Sequence, residues 1–220
     1  SSGTLSIGHD SNLGLAPTAA TASHLVIENG ATLLFANNGS QNPVELNANR
    51  GMLLDTISGG KIDVAQGVEV TYGGVIDGTG PLTKSGLGQL SFTGQSNTYA
   101  GDTSVQAGKL FGGSNTQSAT VFGNGDLIIG SSASAQIDAA ELSNNLVFNG
   151  GTLLVTGTDD SIWNGTVTLN QASTFDVFGN LTVIGDVSGA GKLTLNNASA
   201  QGELRIGGDA THTGGTELVS

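Results

Sequence analysis

The sequence predicts an all-β fold, a parallel β-solenoid with three strands per turn, and three observations lead to it. Short β-prone runs such as residues 75–76, 90–92 and 103–105 recur every ~10–15 residues, with glycine, asparagine, aspartate or serine between them. No apolar run keeps a 3.6-residue period long enough for a helix of several turns. The order of residues in the middle of the chain also returns near its end, which is typical of repeat architectures.

The predicted strands follow one another closely along the chain. They cover residues 4–7, 25–27, 32–35, 44–46, 52–54, 61–64, 68–70, 75–76, 90–92, 103–105, 121–122, 127–129, 146–148, 152–155, 167–169, 175–178, 181–184, 193–195, 204–206 and 217–219. Residues 8–12 predict a turn, residues 16–23 a surface loop, and residues 138–142 the one helical turn. The side chains expected to face inward around the central repeat and its second copy are Leu82, Leu90, Phe92, Val105, Leu193 and Leu204.

Strands this short do not form a stable hairpin or sandwich alone, because too few residues pair in each strand. In a solenoid each strand pairs with the strands above and below it, and the apolar side chains stack into one core. About 24 strands at three per turn predict roughly eight to ten rungs and a rod of ~40–50 Å. The competing fold is a β-sandwich or jelly roll, which usually needs strands of ~5–6 residues and does not account for a long internal duplication.

The duplication divides the chain into two tandem long repeats, residues 1–106 and 107–220, within a single continuous solenoid. Ile76 aligns with Val187 at an offset of 111 (187 − 76), and Thr98 aligns with Thr211 at an offset of 113 (211 − 98). Two inserted residues between these points explain the difference. Upstream, residues 25–27, 32–35 and 62–64 match residues 146–148, 152–155 and 175–177.

The first copy carries a dense motif of glycine, threonine, asparagine and spaced apolar residues. Its members are Gly78, Gly80, Leu82, Thr83, Lys84, Gly86, Gly88, Leu90, Phe92, Gly94, Asn97, Thr98, Tyr99, Gly101, Thr103, Val105, Gly108 and Leu110. This string resembles the passenger-associated transport repeat of bacterial autotransporters. The second copy is degenerate, because residues 196–200 replace the Lys-x-Gly-x-Gly turn and His212 replaces Tyr99.

The resemblance implies a right-handed parallel β-helix that is exported across the outer membrane to the bacterial cell surface. It also implies an outer-membrane translocator barrel in the parent chain. The sequence has no signal peptide and starts within a repeat, so we expect it to be a fragment of a larger passenger.

Composition excludes several classes of function. The chain has no cysteine, which removes disulfides and thiolate chemistry. Six basic and 18 acidic residues give a net charge of −12, and the basic residues are scattered singly, so nucleic acid is a poor partner. No apolar segment approaches the ~20 residues that span a bilayer. The 36 glycines are expected to serve turns.

The candidate sites are few, and each has an ordinary structural interpretation. Asp159-Asp160 with the nearby Trp163 suggests a glycan-cleaving pair, but adjacent acids more often form a solvated turn. His9, His24 and His212 are isolated and are expected at the surface. The glycine-rich residues 185–192 fail the phosphate-loop template, and residues 123–127 carry one turn of the kind that is iterated in calcium-binding β-rolls. We therefore predict no catalytic, cofactor-binding or metal-binding residue; ligand-binding residues stay unassigned.

These observations favour a non-enzymatic segment that acts as a rigid stalk, an adhesive or self-associating surface, and a folding unit during export. The alternatives are a β-helix enzyme acting on polysaccharides, such as a lyase or hydrolase, and a pure spacer for a functional domain elsewhere. The expected partners are a second copy of the protein, or host and matrix glycans and proteins. Asparagines at the turns are expected to form hydrogen-bonded ladders between rungs; they are Asn29, Asn37, Asn38, Asn47, Asn49, Asn144, Asn145, Asn196 and Asn197. Bare strand edges are expected at residues 4–7 and 217–219.

Overall fold

The chain folds as a parallel β-solenoid. The computed structural model describes residues 3–36, 43–55, 57–94, 96–112, 120–157, 159–197 and 202–219. In these residues the strands are β1 Thr4–Ile7, β2 Thr21–Ile27, β3 Thr32–Phe35, β4 Val44–Leu46, β5 Arg50–Leu54, β6 Gly60–Val64, β7 Glu69–Tyr72, β8 Ile76–Gly78, β9 Leu82–Ser85, β10 Gln89–Phe92, β11 Thr103–Gly112, β12 Leu127–Asp138, β13 Glu141–Leu142, β14 Leu146–Asn149, β15 Thr152–Thr156, β16 Ser161–Trp163, β17 Val167–Leu169, β18 Ser173–Val177, β19 Asn180–Val183, β20 Val187–Gly189, β21 Leu193–Asn196, β22 Glu203–Ile206 and β23 Thr216–Val219. One 3₁₀ turn spans Asp10–Leu13.

The strands stack into three faces. Face A contains β1, β3, β6, β9, the first half of β11, the first half of β12, β14, β17 and β20. Face B contains β4, β7, β10, the second halves of β11 and β12, β15, β18, β21 and β23. Face C contains β2, β5 and β8, and after a gap β13, β16, β19 and β22.

All pairings between these strands are parallel, as the sequence predicts. One turn takes 19 residues between the partners Leu127 and Leu146, and 29 residues between Thr32 and Lys61. The all-β, parallel part of the fold prediction is thus confirmed, while the right hand of the coil and the total of eight to ten rungs stay predictions. No helix among the described residues has the length and apolarity to cross a bilayer.

The core runs along the inside of the coil, because alternate side chains of every strand point inward. The inward side chains of the central turns, Leu82, Leu90, Phe92 and Val105, are at most 1% exposed, as predicted. Leu193 is equally buried, whereas Leu204 packs against the core but stays partly exposed. The rings of Phe148 and Phe175 meet edge to face with centroids 5.2 Å apart. This continuous apolar stack stabilises strands that are too short to be stable alone.

Two predicted elements are wrong. The helical turn at residues 138–142 does not form, because Ala139 has a φ of 47° and β13 begins two residues later, at Glu141. Leu142 instead pairs with Trp163 on the inside of face C and is fully buried. The strand predicted at residues 121–122 is a turn that follows a single bridge from Thr120 to Ser96.

The first strand of face B, β4, has the 3₁₀ turn Asp10–Leu13 against it, while the bare edges expected at residues 4–7 and 217–219 stay a prediction. The Asp10 carboxylate accepts a hydrogen bond from the Asn47 backbone N–H at 3.0 Å. It also pairs with the guanidinium of Arg50, whose side chain is fully buried. A polar contact therefore covers this edge. The positive charge beside Asp10 lowers the pKa of its carboxyl although burial, the largest effect, raises it.

Candidate functional site

Face C is interrupted in the middle of the chain. Between β8 and β13 the coil crosses this face twice, through residues 96–100 and 120–126, and neither crossing forms a strand. The two crossings share one β-bridge between Ser96 and Thr120. Buried polar side chains concentrate here, at Asn97, Tyr99, Thr103 and Asn144, and a buried lysine, Lys84, lies nearby in the chain at the corner between faces A and B. We refer to these five residues as the clasp. Since a buried polar group is costly without a partner, the contacts of the clasp show what it does.

Asn97 joins three successive turns of the coil. Its side chain is 1% exposed. The Oδ1 atom accepts a hydrogen bond from the Ile76 N–H at 2.8 Å, and the Nδ2 atom donates to the Val121 carbonyl at 2.6 Å. These two side-chain bonds add to the backbone bonds between the same turns, from the Thr98 N–H to the Ile76 carbonyl at 2.8 Å and from the Asn97 N–H to the Thr120 carbonyl at 3.2 Å.

Tyr99 and Thr103 form a second buried connection. The Tyr99 hydroxyl donates to the Thr103 hydroxyl, which in turn donates to the Phe122 carbonyl at 2.7 Å. Burial raises the pKa of Tyr99 far above its ordinary value, so the phenol stays protonated and remains a donor. A Cβ at Gly123 would lie 2.5 Å from the Tyr99 ring, which explains why glycine occupies that position.

Asn144 binds the second crossing of face C, residues 120–126. Its Nδ2 atom donates to the carbonyls of Gly123 and Gly125 at 3.1 and 2.6 Å. The backbone carbonyl of Asn144 accepts a hydrogen bond from the indole N–H of Trp163 at 2.6 Å. Together with Asn97 and Thr103, this side chain holds residues 120–126 between the turns above and below without any strand pairing.

Lys84 is the least expected member of the clasp, because its side chain is 0% exposed. The Nζ atom donates to the carbonyls of Ser85, Gly86 and Ala107 at 2.9, 2.8 and 3.0 Å. Ala107 belongs to the next turn, so the ammonium group ties two turns together at the corner between faces A and B. Burial lowers the pKa of Lys84 to about 8, while the Asp63 carboxylate acts in the opposite direction.

Stability is expected to rise between pH 8 and pH 10.5 because of Lys84. The unfolded lysine keeps its ordinary pKa of 10.5 while the folded one has a pKa of about 8, so unfolding takes up a proton in this range. Each pH unit contributes at most about 1.4 kcal/mol to the free energy of unfolding. Urea titrations from pH 7.5 to 11 measure it. The variant Lys84→Met should flatten the slope, and Lys109→Met, at a partly buried lysine, should leave it in place. Equal slopes in the protein and in Lys84→Met would show that Lys84 does not titrate as described.

A ladder of side chains runs down the corner between faces C and A. Asp102, Asp126 and Asp186 each stand directly before a face A strand and after a glycine. Asp102 accepts from the Asp126 N–H at 2.9 Å, Asp126 from the Asn145 amide at 3.0 Å, and Asp186 from the Asp209 N–H at 2.9 Å. A Cβ at Gly125 would lie 2.5 Å from the Gly101 carbonyl, so the glycines allow the turns to stack.

The predicted asparagine ladders are present in the described residues. Asn170 donates to Asn149 at 2.9 Å, and Asn196 donates to Asp176 at 3.1 Å. Asn145 accepts from both the N–H and the hydroxyl of Thr166. Asn37 and Asn38, which were expected to join such ladders, lie outside the described residues. The ladders therefore use many of the polar turn side chains for contacts between rungs.

The structure removes the geometric support for a glycan-cleaving site. Trp163 is fully buried on β16, so its ring covers the core and is not available to stack on a sugar. Asp159 and Asp160 are exposed, and the Asp160 carboxylate accepts a hydrogen bond from Asn180 at 2.8 Å as part of a ladder. In the calcium-like turn, Asn124 donates to the Thr98 carbonyl and Asp126 belongs to the corner ladder. The described residues bring together no group of three or more His, Asp or Glu side chains that would hold a metal ion.

The three histidines, which are expected at the surface, are partly exposed. His24 places its Nδ1 atom 3.5 Å from the Arg50 guanidinium. His212 places its Nε2 atom 2.9 Å from the Thr216 hydroxyl. This second contact matters for the repeat, because Tyr99 and Thr103 make the equivalent hydrogen bond at the same four-residue spacing. The degenerate copy keeps the bond although it has lost the tyrosine.

The two aligned copies lie on different faces of the coil. Leu82 belongs to β9 on face A, whereas its counterpart Leu193 belongs to β21 on face B. Ile76 lies on face C and its counterpart Val187 on face A. Each aligned pair is displaced by one face in the same direction. Equivalent residues of the motif therefore occupy different faces of the coil in the two copies.

Comparisons with known proteins agree with this geometry. The family model described as passenger-associated-transport-repeat matches residues 82–110. Residues 82–110 form an autotransporter passenger repeat. Four of the five clasp residues, Lys84, Asn97, Tyr99 and Thr103, lie within the passenger repeat, and Asn144 holds the turn that packs beneath it.

A curated relative points in the same direction. The whole of this chain is 30% identical over 226 residues to the adhesin BmaC autotransporter of Brucella suis biovar 1 (strain 1330), and it spans 6% of that protein's length. No solved structure gives a significant match. The passenger repeat and this relative indicate export across the outer membrane to the cell surface.

The sequence analysis did not predict that Lys84 is buried, because it treated this lysine only as a motif residue and as one of the singly scattered basic residues. A usable signal exists in the alternation of β9, where Leu82 points inward and Thr83 outward, so Lys84 shares the inward side with Leu82. Asn97 and Thr103 were noted as motif residues without a role. Their role depends on the gap in face C, which the local sequence does not show.

Proposed function

We propose that this chain is a non-enzymatic stretch of a longer cell-surface passenger, in which it serves as a rigid stalk and a folding unit. Its coil is right-handed with eight to ten rungs, and its two long repeats, residues 1–106 and 107–220, form one continuous solenoid. The parent chain carries an outer-membrane translocator. The outer sides of the rod, with their acidic and asparagine-rich turns, supply weak adhesive or self-associating contacts that add up along its length.

The clasp is the observation that supports the folding role. Asn97, Thr103 and Asn144 each connect different turns through buried hydrogen bonds, so no single turn in this region is complete without its neighbours. A solenoid is stabilised mainly by contacts between neighbouring turns. A region in which three or four turns must close together therefore acts as one cooperative folding unit that strengthens the rod after export.

The relative supports the adhesive role through its description as an adhesin. Because this chain spans only 6% of that protein, adhesion is proposed here from the surface of the rod and not transferred from the relative. The test substitutes the acids Asp159 and Asp160 on the side surface of the rod, since both are exposed on a turn outside the core.

The experiment expresses the parent passenger on bacterial cells in three forms. These are the unchanged protein, a form without residues 1–220, and the double variant Asp159→Asn with Asp160→Asn. Surface display is measured by protease release, and adhesion by cell aggregation and by binding to glycan arrays. The proposal expects the deletion to reduce both display and adhesion, and the double variant to reduce adhesion alone.

Three results would contradict parts of this proposal. Full adhesion by the double variant and by a form with further side-turn acids replaced would make the segment a spacer. Release of unsaturated or reducing sugar ends from any glycan by the purified chain would make it an enzyme. A deletion that leaves protease-resistant display unchanged would remove the folding role.

A further inference from the structure

A shallow groove lies on the outside of face C, across the first three strands of that face. It has a volume of about 280 Å³. Ala20, Thr21, Ala22 and Ser23 form one wall, Ala48, Gly51 and Met52 form the floor, and Val75 and Asp77 form the opposite wall. The ladders of side chains and the clasp do not use it. The volume is just below the ~300 Å³ at which small-molecule pockets begin, so the groove fits one or two side chains.

The wall formed by residues 20–23 departs from regular strand structure. Thr21 pairs with Arg50 and Leu25 pairs with Met52, so β2 has two extra residues between these pairs. Ser23 sits within this bulge with a φ of 53°, which is rare for a residue with a side chain. Such bulges and strained residues are common beside binding sites, where they redirect side chains. The bulge opens the groove that a regular pairing of β2 with β5 would close.

The floor of the groove has a glycine where the bulge of β2 lies close to β5. A Cβ at Gly51 would lie 2.7 Å from the Thr21 carbonyl and 2.9 Å from the Ala22 Cα atom. Glycine at this position therefore lets the bulge lie directly on β5. The groove depends on a specific backbone contact and not on a loose surface loop.

The loop that leads into the bulge is firmly held. The buried Arg50 guanidinium donates to the Asp10 carboxylate at 2.8 and 3.0 Å and to the Gly14 carbonyl at 2.6 Å. Asn49 donates to the Pro17 carbonyl at 2.9 Å, and its own carbonyl accepts from the Thr21 N–H at 2.9 Å. One short turn thus anchors residues 10–21 at several points. A loop fixed in this way loses little conformational entropy when a partner binds.

The surface around the groove is apolar and almost free of charge. Residues 11–23 contain no charged side chain in a protein whose net charge is −12. Val75 in the groove is 48% exposed, and Leu15 in the anchored loop is 96% exposed. Asp77 supplies one carboxylate at the rim, where Oδ1 accepts from the Gly78 N–H and the Thr98 hydroxyl. Exposed apolar patches with a polar rim are typical of protein-binding surfaces.

We propose that this groove binds a segment of another protein in which an apolar side chain is flanked by lysine or arginine. The apolar side chain fills the space between Ala22 and Val75, and a flanking cation lies beside Asp77. The charge of the whole chain favours this partner, since a body with a net charge of −12 attracts basic segments and repels acidic ones. A second copy of the same chain carries the same charge and is disfavoured for that reason. This proposal goes beyond the stalk function and does not depend on it.

The test measures fluorescence anisotropy of the full chain with three labelled nonapeptides. One has a central leucine flanked by lysines, the second replaces the lysines with glutamates, and the third replaces the leucine with serine. The lysine-leucine peptide is expected to bind at least about tenfold more tightly than either of the others. Added salt should weaken this binding.

Two groove variants and one matched control complete the experiment. Val75→Ser removes an apolar wall and Asp77→Asn removes the rim charge without changing its size, and each should weaken binding by about fivefold or more. The control Ile184→Ser changes an apolar side chain that is 51% exposed elsewhere on the coil and should leave binding unchanged.

Three outcomes would overturn the proposal. They are no binding of the lysine-leucine peptide, equally tight binding of the glutamate peptide, and a loss of binding in Ile184→Ser equal to that in the groove variants. Sedimentation that shows a dimer of the chain abolished by Val75→Ser would assign the groove to a second copy and would also overturn it. None of these results changes the surface-display outcomes that test the stalk function.

Discussion

Replacing Trp163 with alanine is expected to lower the free energy of unfolding by about 3–5 kcal/mol. Trp163 is the largest fully buried side chain, and its indole N–H also satisfies the Asn144 carbonyl. The variant therefore leaves both a cavity and a buried acceptor without its partner. Thermal unfolding followed by circular dichroism measures the loss, at about 2–4 °C per kcal/mol for a chain of this size.

Two further variants separate these effects. Trp163→Phe keeps an aromatic ring but removes the donor, and it is expected to cost about 1–3 kcal/mol. Phe178→Ala removes an aromatic side chain that is 39% exposed and should cost about 1 kcal/mol or less. An unchanged midpoint for Trp163→Ala would mean that the indole ring lies outside the core. That result would also restore the possibility that it binds a sugar.

The second large effect is expected for Asn97→Ala, at about 2–5 kcal/mol. The substitution removes the partners of the Ile76 N–H and the Val121 carbonyl, and each buried group left alone costs about 1–3 kcal/mol. Hydrogen exchange offers a local measurement, because the Ile76 amide should exchange faster in the variant. Denaturant unfolding measures the global loss.

A matched control for Asn97 is Asn164→Ala. Asn164 is exposed and donates to the Glu141 carboxylate at 3.2 Å, so its replacement should change stability by about 0.5 kcal/mol or less. Equal losses for the two asparagine variants would show that the clasp adds nothing beyond an ordinary surface ladder. Slow exchange of the Ile76 amide in Asn97→Ala would show that its hydrogen bond is not needed.

The sequence predicts the strands of this fold best where apolar residues alternate with polar ones. Strands β3, β4 and β17 have the predicted limits, because runs such as Val167-Thr168-Leu169 bury alternate residues and end at a turn. Strand β16 was missed, since Ser161 is buried there and two acids precede the strand. Strand β13 was mistaken for helix because Ala-Ala-Glu-Leu has a high helix propensity, and the backbone at Ala139 overrides it.

The candidate site was predicted only in part. The motif located the passenger repeat at residues 82–110, but it did not show that Asn97 bridges turns across the gap in face C or that Lys84 joins two turns at the corner between faces A and B. That function arises between turns separated by about 20 residues, and local patterns do not report which turns lie next to each other. The alignment of the two copies likewise gives no sign of their displacement by one face, because the corners of the coil accept similar residues.

The gap in face C also makes the resistance of the rod to bending depend on the direction of the bend. Faces A and B belong to one 16-stranded sheet, in which β11 and β12 pass from one face to the other, and the paired strands run from β1 to β23 without a break. Face C consists of two separate sheets of three and four strands. Bending that opens face C between β8 and β13 extends side-chain hydrogen bonds, one β-bridge and a few backbone hydrogen bonds, such as that from the Thr98 N–H to the Ile76 carbonyl, but no strand ladder. Opening face A or B would have to separate a continuous set of paired strands. The rod is therefore most compliant in one plane and at one level, and a sideways force tilts its far end toward a fixed side.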